Sequence, residues 1–148
     1  MIPLSEGTAI AIHAMIYLAS RPDSPHSLKD VAAQFAISEN HLSKVLQKLV
    51  KAEFLVSVKG PKGGYRVHPA KRSATLLEVY EVMEGKFQPK TCLFGGLRTT
   101  PCCCAMRPMI NAIHRTFLDF MSSHTIDNIP IPERGDSSNV LLSVRTDD

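Results

Sequence analysis

Four cysteines, Cys92, Cys102, Cys103 and Cys104, crowd one short stretch of a 148-residue chain that has no others. A disulfide framework in a small secreted fold ties distant segments together, and cysteines gathered in one place cannot do that. The stretch suits one local site: a metal or iron–sulfur cluster held by thiolates, or thiols that sense redox state. In an extended segment, neighbouring side chains point to opposite sides and residues two apart share a side. Cys102 and Cys104 can therefore converge, and with Cys92 they supply three thiolates, Cys103 being the alternative member. The bland reading is inert packing. A thiol- or metal-dependent enzyme is the rival in another class, but there is no Cys-x-x-Cys beside a strand, no Gly-rich phosphate loop at a helix start and no acid–base pair near the cysteines. The chain is expected not to be an enzyme.

Something must position that stretch, and the elements before it are legible. Ser5 caps an apolar run through Ser20, which reads as a buried first helix ended by Arg21-Pro22. Ser27, with Asp30 three residues later, opens a short second helix in which Leu28, Val31, Ala32 and Phe35 keep helical spacing. Ser38 starts a third, with Leu42, Val45, Leu46 and Leu49 as its apolar stripe. Asn40, His41, Ser43, Lys44, Gln47, Lys48 and Lys51 cover its other face. Amides, a hydroxyl, an imidazole and lysines suit base edges and phosphates in a major groove, although a merely soluble face is the plainer alternative.

Val56-Ser57-Val58-Lys59 and Tyr65-Arg66-Val67-His68 alternate around the Gly60-Pro61-Lys62-Gly63-Gly64 loop, which reads as a basic hairpin. Helices followed by such a hairpin make a winged helix-turn-helix, so the fold class is mainly α with a small β-hairpin wing and a long C-terminal helix. Thr75 caps an acidic fourth helix stopped by Gly85, expected to pack under the wing. Residues 86–107 lack periodicity and hold every cysteine. From Pro108, the residues Met109, Ile110, Ile113, Phe117, Phe120 and Met121 recur at three- and four-residue steps, a face wide enough to pack on a second copy. The expected organisation is a winged DNA-binding domain over 1–85, a cysteine-bearing sensor loop over 86–107, a dimerisation helix over 108–125 and a loose tail over 126–148, with a short strand near Val140 to Val144.

Charge sharpens this division. Lys and Arg outnumber Asp and Glu ten to five in residues 1–72, but are outnumbered nine to seven afterwards. The first half is expected to meet a polyanion, a solvated face being the plainer alternative. The most apolar run, from Ala9 to Ala19, is too short to cross a bilayer, and no secretory leader is evident, so a cytoplasmic location is expected. A protein-interaction module using the same fold would have less need of the basic half.

Three blocks carry a family resemblance: Ser27-Leu28-Lys29-Asp30-Val31-Ala32 leading to Ile37-Ser38; Leu46 to Val58 followed by Lys59-Gly60-Pro61-Lys62-Gly63-Gly64-Tyr65-Arg66; and Thr75-Leu76-Leu77-Glu78-Val79 ending in Glu84-Gly85. Across residues 1–125 the chain resembles the Rrf2 family of bacterial transcriptional regulators. The resemblance implies a homodimer, acting as a repressor on a double-stranded DNA operator. It implies DNA contacts from Ser38, Asn40, His41, Ser43, Lys44, Lys59, Gly60, Pro61, Gly63, Gly64 and Tyr65. Lysines there would neutralise phosphates, and the glycines would let the wing backbone approach the duplex.

Iron–sulfur members of that family carry three evenly spaced cysteines. Cys92 and Cys104 match the outer pair, while Arg98 stands at the middle position and Cys102 and Cys103 are additional. The resemblance therefore implies a [2Fe-2S] or [4Fe-4S] cluster, or a metal, on Cys92, Cys102 and Cys104. His13 of the first helix is the candidate fourth ligand, ahead of Glu6. A core histidine satisfied by a hydrogen bond, and a cofactor-free thiol switch, are the alternatives.

Overall fold

The computed structural model describes residues 4–89 and 106–129. The elements run α1 (Glu6–Ala19), α2 (Leu28–Phe35), α3 (Glu39–Lys51), β1 (Leu55–Val58), β2 (Gly64–Val67), a 3-10 turn (Pro69–Lys71), α4 (Leu76–Glu84) and α5 (Arg107–Ser123). The mainly helical architecture with a two-stranded wing is the one expected. Among the described residues no helix is long and apolar enough to cross a membrane.

Each of the first four α-helices begins where a hydroxyl can take up an orphan amide. The side chains of Ser5, Ser27, Ser38 and Thr75 accept from the amides of Thr8, Asp30, His41 and Glu78. At Thr75 the exchange is reciprocal, because the Glu78 carboxylate accepts the Thr75 amide at 2.8 Å. Helix α2 ends on Ala36 in the left-handed region, at φ 55°, and two residues later Ser38 caps α3. That is the tight turn of the helix-turn-helix.

Helix α1 is the centre of the core. Ala11, Ala14 and Met15 are fully buried, and the two alanines let α3 and α4 pack closely on either side. Leu42, Leu46 and Leu49 of α3 and Val79 and Tyr80 of α4 meet them. Helix α4 packs chiefly on α1 and α5 rather than under the wing as expected. The reason lies in Tyr80, which is buried against the ring of Phe117 from α5 at 5.4 Å.

The apolar stripe of α5 divides. Ile110 and Met121 are buried, with Phe117 half-buried beside them, while Met109, Ile113 and Phe120 remain about half exposed. Beyond α5 the chain folds back: Leu76 donates its amide to His124, Ile126 donates to Ala74, and the Ile126 side chain is 1% exposed. The rest of the segment read as a tail, residues 130–148, and the strand expected near Val140 lie outside the described residues.

Candidate nucleic-acid interface

The hairpin pairs Leu55 with Val67 and Val58 with Gly64, one residue earlier on each strand than the alternation alone suggests. Two glycines explain the register. Gly64 lies so close to α2's approach that a Cβ there would fall 2.2 Å from the His26 carbonyl oxygen, and a Cβ on Gly63 would fall 2.2 Å from that of Val58. These glycines are required by the hairpin's own packing, whatever they contact on a duplex. His26 and Tyr65 exchange both main-chain hydrogen bonds, at 2.9 and 2.8 Å, so the segment before α2 is a third strand in miniature against the wing. The Tyr65 backbone is thereby fully engaged, and its half-buried ring packs on the core. At the tip, Lys59, Gly60, Pro61 and Lys62 are all exposed.

Helix α3 carries its four apolar residues inward, leaving Asn40 and Lys44 exposed and His41 and Ser43 half-exposed on the outer face. Ser38 lies at the start of this face, but its hydroxyl is committed to capping the helix. Gln47 donates its amide to the Ser43 hydroxyl at 3.2 Å, so these two side chains present one fixed arrangement of donors and acceptors. Lys48 is exposed like the rest of its face but has a partner within the fold. Its ammonium donates to the Met83 carbonyl of α4 at 2.7 Å. Sequence spacing places Lys48 beside Lys44 and Lys51 and gives no hint of this partner.

A second cluster ties the start of α1 to the end of α4. Thr8, fully buried, donates its hydroxyl to the Glu84 carboxylate, which also accepts the Ser5 amide at 3.1 Å. These bonds to Ser5 and Thr8, opposed by partial burial, hold the Glu84 carboxyl below the usual glutamate range. The described chain continues past Gly85 to Phe87, whose ring sits 5.3 Å from Phe117 and 5.5 Å from His114. His114 is buried, and its Nδ1 has no hydrogen-bond partner among the described residues. The α5 periodicity could have shown it, since His114 falls in the column of Ile110, Phe117 and Met121, but a polar residue was not counted there.

Cys92, Cys102, Cys103 and Cys104 lie outside the described residues, so the metal or cluster site is described only through its flanks. Phe87 and the start of α5 are those flanks. His13 is exposed on α1, where its Nδ1 donates to the Ala9 carbonyl at 2.7 Å and its ring edge meets Phe35. A carbonyl can only accept, so Nδ1 carries a proton and a ligand bond from this ring would fall to Nε2. Glu6 is also exposed. Among the described residues no three His, Cys, Asp or Glu side chains are grouped to hold a metal ion.

Residues 4–130 match the model of a family described as Rrf2, iron-dependent transcriptional regulator. The BadM protein of Rhodopseudomonas palustris is 41% identical over 81 residues, covering 55% of this chain and about half, 52%, of BadM itself. The HTH-type transcriptional regulator NsrR of Bacillus licheniformis is 28% identical over 131 residues, covering 85% of this chain and 90% of that protein. Among solved structures, CymR, the global cysteine regulator of B. subtilis, superposes with a TM-score of 0.73 at 24% identity, over 86% of this chain and 95% of that one. At that identity the likeness speaks to the fold.

Proposed function

Because this chain belongs to the Rrf2 family of transcriptional regulators, we propose that it is a homodimeric repressor that reads a duplex operator with α3 and the wing, under the control of an iron–sulfur cluster or metal held by its cysteine segment. It is a DNA-binding regulator and not an enzyme. The observation that carries the reading is the juxtaposition of an exposed Asn40, His41, Ser43 and Lys44 face with a hairpin whose tip presents Lys59 and Lys62. The side chains of α3 offer hydrogen bonds to base edges, and the lysines release counterions from the backbone. Two copies, joined through the exposed Met109, Ile113 and Phe120 face of α5, would set two α3 helices against successive half-sites.

Cys92, Cys102 and Cys104, or Cys103 in place of one of them, would hold the group, with His13 as the fourth ligand. The donor set fits. Thiolates bind iron–sulfur clusters, and the Nδ1–H of His13 is held by the Ala9 carbonyl, which leaves Nε2 as the nitrogen that would ligate. When bound, the group would supply a redox- or ligand-labile centre. The cysteine segment joins Phe87, which packs on both α4 and α5, to the start of α5, so a change in its shape acts on the wing domain and the dimer helix together.

The test is a visible spectrum with iron and sulfide assays on protein purified without oxygen, followed by operator binding before and after air exposure. A coloured, iron-loaded protein whose binding changes in air is expected. A colourless protein whose binding follows oxidant and reductant would replace the cluster with a thiol switch, and binding indifferent to both would remove the sensor.

A further inference from the structure

A cleft of about 230 Å³ opens between the end of α1, strand β2 and the turn that follows α5. Leu18, Ala19, Val67 and Pro69 give it an apolar lining. Three charged residues complete the wall: Arg66, Arg72 and Asp127. Among the described residues neither arginine side chain has a hydrogen bond or an ion pair. Asp127 does not serve them, because its two carboxylate oxygens accept the Thr125 and Ser73 hydroxyls. Arg66 and Arg72 thus both line one small cleft with their side chains unpaired, while the Asp127 carboxylate in the same wall is taken up by two hydroxyls.

We infer that this cleft binds a small organic monocarboxylate, its carboxylate taken by Arg66 and Arg72 and its short apolar body lying on Leu18 and Val67. Guanidinium forks match a carboxylate in geometry as well as charge. The volume is below the usual range for drug-sized ligands, which limits the occupant to a small acid. Asp127 narrows the class further. The Thr125 hydroxyl, then that of Ser73, keep its carboxyl ionised below the usual aspartate range, and a second negative charge on the ligand would meet it. Monoacids are favoured over diacids. The site spans α1, the base of the wing and the turn after α5, so an occupant would bias the wing against the dimer helix.

Calorimetric titration of the full chain with butyrate, its neutral analogue butyramide and the diacid succinate tests this directly. Butyrate should bind saturably, succinate more weakly and butyramide not at all. The Arg66→Gln and Arg72→Gln variants, at exposed positions where folding is not at risk, should each lose roughly tenfold or more in butyrate affinity, the worth of one charge-assisted bond. Equal behaviour of butyrate and butyramide, or no butyrate binding, overturns the inference. So does a double variant that binds butyrate normally yet loses affinity for non-specific duplex DNA with a shallower salt dependence, because the arginines would then be phosphate contacts.

Discussion

The ammonium of Lys48 donates to the main-chain carbonyl of Met83 at 2.7 Å, fastening the polar face of α3 to the last turn of α4. Lys44, one turn earlier on α3, is exposed and has no such partner among the described residues.

These two lysines should therefore behave differently on DNA. Lys44→Ala is expected to weaken binding across all sequences and to lower the slope of log K against log salt by about 1, as loss of one phosphate contact does. Lys48→Ala should leave that slope unchanged and cost about 0.5–1.5 kcal/mol of folding stability, the worth of an ordinary hydrogen bond. Salt-dependent binding isotherms and urea denaturation of both variants check this, and a reduced slope for Lys48→Ala would contradict it.

Ala36 holds a left-handed backbone, at φ 55°, to make the turn between α2 and α3. A side chain with a Cβ pays roughly 1–2 kcal/mol in that region, and glycine does not. Ala36→Gly should stabilise the chain by about 1 kcal/mol, after the larger unfolded-state freedom of glycine is discounted. A destabilised variant in denaturant unfolding would show that the turn is relaxed some other way.

Glu78 is held below the usual glutamate range first by its hydrogen bond from Lys71, at 2.8 Å, against some opposing burial, with the Thr75 bonds adding to the effect. A carboxyl whose pKa is lowered by folding contributes stability that is complete above its unfolded value and is lost as pH falls through the lowered folded value. Glu78→Gln should thus be less stable near neutrality and show a flatter loss of stability through the acid range. Urea midpoints measured from neutral pH down past the ordinary carboxylate range give the comparison, and parallel curves for the two proteins would exclude the effect.

The division of the α5 stripe separates folding from assembly. Ile113→Asp or Phe120→Asp, on the exposed side, should yield a folded monomer in sedimentation, whereas Ile110→Asp, on the side 5% exposed, should unfold the chain. A dimer that survives both outer substitutions would place the interface elsewhere.

Much of this fold could be read from the chain because its signals are local. Ser27 with Asp30 and Thr75 with Glu78 announce helix starts by side chains that reach only three residues. The Gly-rich loop likewise announces its hairpin. What escaped reading is non-local. The pairing of His26 with Tyr65, which sets Gly64 against the His26 carbonyl, joins segments far apart in sequence. The α5 period shows a wide apolar face but not which half meets Tyr80 and which half stays open. Lys48 is exposed as read, but nothing near it in sequence names Met83 as its partner. Thr8 reads as one more helical residue, although its hydroxyl closes the contact with Glu84.

Selection of duplexes from a random pool by the purified full-length protein tests the DNA-reading role of α3 most directly. The enriched sequence should be a palindrome whose half-sites lie about one helical turn apart. Asn40→Ala and Ser43→Ala should each cost about 1–3 kcal/mol on that sequence and relax the preference at one position per half-site. Failure to enrich any sequence, or enrichment of the same sequence with the same affinity by the Asn40 and Ser43 variants, would contradict the assignment of α3 as the reading helix.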